Sequence, residues 1–187
     1  MTTESLSGRT AVVTGSTSGI GAATARALAA RGARLVVTGR DESRGTHVVS
    51  DIRVAGGDAV FVAGDLTADP PALRSLAAHW TEALGQVDIL VGFNAATKAA
   101  EAQLARSWAA EFGPRGVRVN TVAPGATRTP VNAGDDDVVA QMTAGTPAGR
   151  PGTPDEVAAA VAWLVSDEAS YVHGALVPVD GGITSTR

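Results

Sequence analysis

The sequence predicts an α/β fold with a doubly wound parallel sheet of about six strands. Short aliphatic segments alternate with alanine-rich segments of helical length along the chain, and this alternation is typical of parallel strands joined by right-handed helical crossovers. A glycine-rich turn at residues 14–21 separates the first such strand from the first such helix. Because no repeat and no linker interrupts the pattern, we expect one domain over residues 1–187.

The individual elements follow from apolar patterning and from helix start and stop signals. We predict strands at residues 10–14, 35–37, 59–62, 87–91, 117–122 and 176–179. We predict helices at residues 22–31, 41–55, 70–84, 95–112 and 154–165. Residues 124–152 are rich in glycine, proline and threonine and predict a long mobile loop. The three aspartates at 135–137 indicate a solvated run or a helix start rather than a metal site.

Composition excludes several classes of function. Hydrophobic residues make up 44% of the 187 residues, which is enough for a globular core. The absence of cysteine excludes disulfides, cysteine metal ligands and thiol catalysis. The formal charge of −4 gives no support for nucleic-acid binding. No apolar run is long enough to cross a membrane and no export signal is evident, so we expect a cytoplasmic location.

The glycine-rich turn predicts a phosphate-binding site. It reads Thr14-Gly15-Ser16-Thr17-Ser18-Gly19-Ile20-Gly21. Glycine lets the backbone take φ > 0 and approach a pyrophosphate closely. The following helix then offers free N–H groups and the positive end of its dipole to the phosphates. Taken alone, the pattern is equally compatible with an ordinary loop between a strand and a helix.

This turn and the segments after it resemble the short-chain dehydrogenase/reductase family. The T-G-x-x-x-G-I-G spacing, the Asp65-Leu66 pair, the Val119 to Gly125 segment and the Val179-Asp180-Gly181-Gly182 end occur in the family's order. The resemblance implies a Rossmann-like fold, an NAD(P) cofactor, and hydride transfer between that cofactor and a small carbonyl or alcohol substrate. It implies cofactor contacts at Gly15, Ser16, Ser18, Gly19, Ile20, Gly21, Arg40, Asp65, Leu66, Lys98, Pro124, Gly125, Thr127 and Thr129.

Several of these residues also have a plain structural interpretation. The resemblance places Asp65 against the adenine, but a loop aspartate often caps the next turn. Thr127 and Thr129 fall where the family's hydroxyls meet the nicotinamide carboxamide or its phosphate, but without the family they would be ordinary loop threonines. Lys98 either binds the nicotinamide ribose or is an exposed helix lysine.

Arg40 favours NADP over NAD as the cofactor, with NAD still possible. It follows the second predicted strand, where an acidic residue would accept from a ribose hydroxyl and an arginine would pair with a 2′-phosphate. The neighbouring Asp41, and the absence of a basic residue at positions 16–18, argue in the opposite direction.

The catalytic residues depart from the family's pattern. The family uses a tyrosine four residues before a lysine, with a serine farther upstream, and the lysine lowers the tyrosine pKa. Lys98 matches the lysine, but four residues earlier stands Asn94, whose amide cannot act as the acid. Asn94 is instead a good helix N-cap. The only tyrosine, Tyr171, lies in the C-terminal segment.

An internal deletion accounts for this departure. Residues 87–91 resemble the family's fourth strand but run through Gly92 and Phe93 directly into the lysine helix. One to two βα units, on the order of fifty to sixty residues, are missing. We expect the last strands to move beside the fourth strand in one six-stranded sheet. The lost helix would uncover an apolar face that includes Leu104 and Trp108, and part of the family's dimer interface would go with it, although a homo-oligomer stays possible.

Three functional hypotheses follow. The chain is an NAD(P)-dependent oxidoreductase by descent, in which cofactor binding is expected and turnover is in doubt. Alternatively it is a catalytically silent NADP(H)-binding protein. The third hypothesis is a deletion product without its own activity that associates with a full-length relative. No metal, nucleic-acid or membrane partner is expected.

Overall fold

The computed structural model describes residues 6–92 and 98–186, with the helical backbone alone at residues 98–102. The chain divides into two compact units, Met1–Asn94 and Ala95–Arg187. The single domain expected from the sequence stays a prediction.

The first unit is a parallel sheet with helices between its strands. Its elements are β1 (Thr10–Thr14), α1 (Gly19–Ala29), β2 (Arg34–Gly39), α2 (Glu42–Val54), β3 (Asp58–Ala63), α3 (Pro70–Leu84) and β4 (Ile89–Val91). The strand order is β3-β2-β1-β4 and every pairing is parallel. The carboxyl ends of β1, β2 and β3 therefore lie side by side at one edge of the sheet.

An apolar row crosses this sheet and α3 covers most of it. Val60, Val36, Val12 and Leu90 are register partners on four neighbouring strands. Val12 and Val36 are fully buried against α3, and the partly buried Val60 packs against the same cluster. Leu90, on the edge strand β4, is 63% exposed. The apolar face of the sheet is thus covered at β1 and β2 and open at β4.

The second unit pairs two strands with three helices around them. Its elements are α4 (Lys98–Phe112), β5 (Thr121–Pro124), α5 (Asp136–Thr143), α6 (Pro154–Val165) and β6 (Leu176–Val179). The strands β5 and β6 are parallel neighbours. On α4, Leu104 and Trp108 are 47% and 46% exposed, so the expected apolar face of this helix is present.

Polar side chains tie the second unit together. The Arg118 guanidinium donates to the carbonyl oxygens of Leu164, Ser166 and Ala169 at 2.6–3.0 Å. It therefore satisfies carbonyls that the end of α6 leaves without helical partners. The Asn120 amide bridges to the backbone of Val172 and Ala175.

The fold class predicted from the sequence is confirmed, and several details differ. The six described strands form a four-stranded and a two-stranded sheet instead of one six-stranded sheet. β4 has only three paired residues and pairs only with β1 among the described strands, so it offers little edge to a further strand. β5 begins at Thr121 rather than at residue 117, because Arg118 and Asn120 bond to the segment between α6 and β6.

Other boundaries shift for local reasons. α1 begins at Gly19, because the glycine-rich turn passes directly into the helix. Residues 124–152, predicted as a mobile loop, contain α5 and a short 3-10 turn at Pro130–Asn132. The predicted helix start at 135–137 is correct, since Asp135 precedes the first turn of α5. No helix in the described ranges is long and apolar enough to span a membrane.

Candidate nucleotide-binding site

The glycine-rich turn is shaped by two left-handed glycines and one close approach. Gly15 and Gly19 have φ values of +64° and +53°, a region that residues with a side chain rarely adopt. A Cβ at Gly21 would overlap the carbonyl group of Gly15. The turn therefore requires glycine at these three positions, and residues 15–21 form a tight backbone cradle.

Ser16 is completely buried and holds the turn to β2. Its hydroxyl donates to the Val13 carbonyl and accepts from the Thr38 amide at 2.9 Å. The Ser16 amide in turn donates to the Thr38 carbonyl at 3.2 Å. The hydroxyl of Ser16 is thus internal, and this member of the predicted set positions the cradle instead of facing a ligand.

The N-terminus of α1 lies at the end of this turn. Ser18 is the N-cap residue, and its side chain makes no capping hydrogen bond. The first turn carries no acidic residue. The N–H groups of Gly19, Ile20 and Gly21 lack partners within the helix, so this end of α1 combines free donors with the positive end of the helix dipole.

At the end of β2, Arg40 is exposed and forms no salt bridge with any residue that the structure describes. Asp41, which argued against a 2′-phosphate, is occupied elsewhere. It caps α2 by accepting from the Arg44 amide at 2.9 Å and pairs with the Arg44 guanidinium at 2.6 Å. These hydrogen bonds hold the Asp41 pKa below its ordinary value. Asp41 therefore does not pair with Arg40, and the Arg40 guanidinium stays available to an anionic ligand.

At the end of β3, Asp65 makes the turn that its structural interpretation predicted. Its Oδ1 accepts from the Thr67 amide at 2.9 Å and from the Thr67 hydroxyl at 2.7 Å. Those bonds, and more weakly the charge of Arg40, lower the Asp65 pKa. Leu66 beside it is exposed. The adenine contact stays a prediction that would use the other carboxylate oxygen.

Hydrogen bonds join these three strand ends. The Ser16 amide reaches the Thr38 carbonyl, and the Gly64 amide reaches the Gly39 carbonyl at 3.1 Å. A Cβ at Gly39 would come within 2.8 Å of the Thr17 methyl group. Ligands of open parallel sheets bind outside the carboxyl ends of the strands, and here that edge carries the glycine turn, Arg40 and Asp65.

In the second unit, the turn after β5 is closely packed. Gly125 donates to the Val179 carbonyl at 3.0 Å, and a Cβ there would lie 2.6 Å from the Cα of Asp180. Pro124 is the last residue of β5. Thr127 is buried, and its hydroxyl donates to the Gly125 carbonyl at 2.9 Å. The Pro-Gly turn is therefore where the resemblance predicted it, but its threonine hydroxyl is directed inward.

Thr129 is also bonded within its own turn. The Asn132 Oδ1 accepts from the Thr129 amide at 2.7 Å and from its hydroxyl at 3.2 Å. The Asn132 amide donates to the Thr127 carbonyl at 2.9 Å. Both predicted nicotinamide contacts thus already have partners inside the chain.

The predicted catalytic position is only partly described. Lys98 is the first residue of α4. Asn94 lies outside the described residues, and so does its predicted role as an N-cap. Tyr171 is 99% exposed in the second unit. Asp136 pairs with Arg128 at 3.0 Å, and the described residues contain no group of three potential metal ligands.

Two positioning residues were missed by sequence reasoning. The Thr38 backbone donates to the Ser16 hydroxyl and accepts from the Ser16 amide, and the Thr38 hydroxyl is buried without a partner among the described residues. A polar residue at the end of the apolar Leu35-Val36-Val37 run was the available signal. Asn132 bonds to both Thr127 and Thr129 and so closes the turn at residues 127–132, the threonine turn. Its position three residues after Thr129 was the available signal.

Comparison with known proteins identifies the family. A model described as short chain dehydrogenase matches residues 9–95, and one described as enoyl-(acyl carrier protein) reductase matches residues 92–184. The 2,5-dichloro-2,5-cyclohexadiene-1,4-diol dehydrogenase LinX of Sphingobium indicum is 32% identical, over 95% of this chain and 96% of its own length. This chain belongs to the short-chain dehydrogenase/reductase family.

Two further relatives agree with this assignment. Cis-4-hydroxycyclohexanecarboxylate dehydrogenase of Sinomonas cyclohexanicum is 36% identical, over 97% of this chain and 99% of its own length. A dehydrogenase/reductase structure from Sinorhizobium meliloti 1021 matches with a TM-score of 0.87 and 30% identity, over 97% of this chain and 98% of that one. By descent, this short-chain dehydrogenase/reductase is an NAD(P)-dependent oxidoreductase.

The comparisons also support the internal deletion. The alignment with LinX has 242 positions, whereas this family member has 187 residues, so at least 55 positions have no counterpart in it. Both proteins are covered almost from end to end, which places the missing positions inside the chain. The two family models meet at residues 92–95, directly after β4.

Proposed function

We propose that this chain binds NADP(H) in preference to NAD(H) at the carboxyl edge of the first sheet, without turnover of carbonyl or alcohol substrates. The observation that carries the proposal is the state of Arg40. It is exposed, it forms no salt bridge with a described residue, and the neighbouring Asp41 is held by Arg44. An arginine in this position favours a 2′-phosphate over a ribose hydroxyl.

The glycine turn supports the same ligand class. Its left-handed glycines and the close approach of Gly21 to Gly15 form a cradle beside the uncapped N-terminus of α1. This is the arrangement in which backbone N–H groups bind phosphate. In the proposal, Gly15, Ser18, Gly19 and Ile20 hold the pyrophosphate, and Asp65 and Leu66 contact the adenine.

The absence of turnover follows from Asn94. The bound cofactor would supply or accept a hydride, but the reaction also needs a group that gives or takes a proton at the substrate oxygen. An asparagine amide does not titrate in the required range. The chain would keep its nicotinamide-side contacts although it lacks the proton-transfer group. These proposed contacts are Lys98, Pro124, Gly125, Thr127 and Thr129.

Titration of the purified chain with NADPH and NADH tests the proposal. NADPH should bind saturably and more tightly than NADH. Arg40→Gln should weaken NADPH about ten- to hundredfold, as expected for a lost charge-assisted hydrogen bond, and leave NADH unchanged. Arg74→Gln, which removes an exposed arginine of α3, is the control and should change neither. Equal affinities for both nucleotides would contradict the preference, and reduction of small aldehydes or ketones would contradict the absence of turnover.

Association with a full-length relative is a second candidate, favoured by Leu90. This leucine is largely exposed on the edge strand β4, immediately before the point at which relatives carry additional residues. Light scattering after size exclusion should then show a complex with a co-expressed relative that Leu90→Lys disrupts. A monodisperse monomer under the same conditions would contradict it.

A further inference from the structure

The two groups of predicted ligand contacts differ in how far they are already bonded within the chain. From this difference we infer that the chain recognises adenosine 2′-phosphate nucleotides as a class, and that the nicotinamide end of NADP(H) adds little affinity. The inference rests on the NADP(H) binding proposed above and specifies which part of the ligand is recognised.

The adenosine-side groups are available. Gly15 and Arg40 are exposed, and the first turn of α1 carries neither a capping side chain nor an acidic residue. One oxygen of Asp65 is bonded to Thr67, and no hydrogen bond from a described residue reaches the other. All of these groups belong to the first unit and lie on three adjacent strand ends joined by hydrogen bonds. A ligand can therefore bind these groups without first breaking a hydrogen bond within the chain.

The nicotinamide-side groups are not available in the same way. The Thr127 hydroxyl donates to the Gly125 carbonyl, and both the hydroxyl and the amide of Thr129 donate to Asn132. A ligand that used these donors would first have to break those bonds. The net gain from exchanging one hydrogen bond for another is small.

The deletion falls after the residues predicted for the adenosine half. At least 55 positions of the alignment with LinX have no counterpart in this chain. The two family models meet just after β4. The glycine turn, Arg40 and Asp65 all precede that point. The chain thus retains the residues predicted for the adenosine half, and it lacks a segment that its relatives possess.

Calorimetric titration of the full chain with four ligands tests the inference: NADPH, adenosine 2′,5′-bisphosphate, AMP and reduced nicotinamide mononucleotide. The bisphosphate should bind within tenfold of NADPH. AMP, which differs from the bisphosphate only by lacking the 2′-phosphate, should bind about ten- to hundredfold more weakly than the bisphosphate. Saturable binding of the mononucleotide at an affinity within tenfold of NADPH would overturn the inference.

The failure of this inference is distinguishable from the failure of the proposed function. If NADPH binds and the bisphosphate is more than tenfold weaker, only the inference is overturned. If neither ligand binds to the folded chain, the proposed function fails and the inference fails with it. Circular dichroism establishes that the chain is folded in either case.

Arg40→Gln provides the matched variant. It should weaken NADPH and the bisphosphate by the same factor and leave AMP unchanged, because only the contact to the 2′-phosphate is lost. Arg74→Gln should leave all affinities unchanged. A larger loss for NADPH than for the bisphosphate would show that the nicotinamide end is coupled to Arg40, and would overturn the inference.

Discussion

The strand ends of the first unit and the turn after β5 in the second unit both lie in residues that family models match, but their polar groups are bonded differently. In the first unit, the buried hydroxyl of Ser16 fixes the glycine turn, while Arg40 and the first turn of α1 remain open. In the second unit, the polar groups of Thr127, Thr129 and Asn132 bond to one another.

The difference shows that a motif can persist for two physical reasons. The cradle needs glycine because its backbone has no room for a Cβ, and its donors still lack internal partners. The threonine turn closes on itself, so its residues stabilise the fold whether or not a ligand is present. A sequence match cannot separate these cases, whereas the hydrogen bonds of each side chain can.

Gly21→Ala should have the largest effect, because it disrupts the glycine turn of the first unit. The new Cβ would overlap the Gly15 carbonyl, and a backbone group cannot move aside as a flexible side chain can. We expect a loss of about 1–3 kcal/mol in the free energy of unfolding and loss of saturable NADPH binding. Thermal denaturation and calorimetric titration measure the two effects.

Gly134→Ala is the control for this change, because a Cβ there meets no atom within 4 Å. Its unfolding free energy should stay within about 1 kcal/mol of the parent. If Gly21→Ala bound NADPH as tightly as the parent chain, the cradle would not be the phosphate site.

Asn132→Ala should have an intermediate effect confined to stability. It removes the acceptor of Thr129 and the donor to the Thr127 carbonyl in a half-buried turn. We expect a loss of about 1–2 kcal/mol in unfolding free energy and less than twofold change in affinity for adenosine 2′,5′-bisphosphate. Val131→Ala, at a largely exposed neighbour, should change stability by less than about 0.5 kcal/mol. A tenfold change in bisphosphate affinity would show that the closed turn contributes to binding.

Glu156→Gln should have the smallest effect, and the pH dependence of the melting temperature should reveal it. The Arg150 guanidinium, with the Thr153 amide, lowers the Glu156 pKa from 4.5 to about 2. A lowered pKa stabilises the fold above about pH 4.5, and this contribution is lost as the pH falls from 4.5 towards 2. The parent's melting temperature should therefore fall more steeply over that range than the variant's.

Glu82→Gln provides the control for this pH series, since Glu82 is exposed on α3. Its melting temperature should follow that of the parent at every pH. A Glu156→Gln profile parallel to the parent's would show that the ion pair with Arg150 contributes nothing measurable.

Much of the fold could be predicted because local signals and tertiary structure agree. Asp41 and Thr153 cap α2 and α6, which begin within one residue of their predicted starts. The strand and helix on either side of the glycine turn are also where the sequence predicts them. The separation into two sheets could not be predicted, since the pairing of β5 depends on what lies beside it. No local pattern at Thr121 distinguishes β4 from β6 as a neighbour.

The sequence predicts where the candidate site residues lie along the chain. It does not predict which of their side chains are free to bind a ligand. The sequence places Arg40 after β2, but whether Asp41 neutralises it depends on the bond from Arg44, three residues along the helix. Likewise Ser16 reads as a ligand contact, and only the backbone of Thr38 shows that its hydroxyl is internal. Whether a polar side chain faces a ligand or bonds within the chain depends on which partner lies nearer in the folded structure. The sequence alone does not give these distances.

The uncovered Leu90 has a consequence for the life of this chain in a cell. A leucine that is mostly exposed on a sheet edge resembles the surfaces that transiently unfolded proteins present, and chaperones and proteases act on such surfaces. Synthesis and degradation would then set how much of the chain accumulates, and a bound nucleotide would extend its lifetime by favouring the folded state. Abundance, more than affinity, would decide how much nucleotide the chain can sequester.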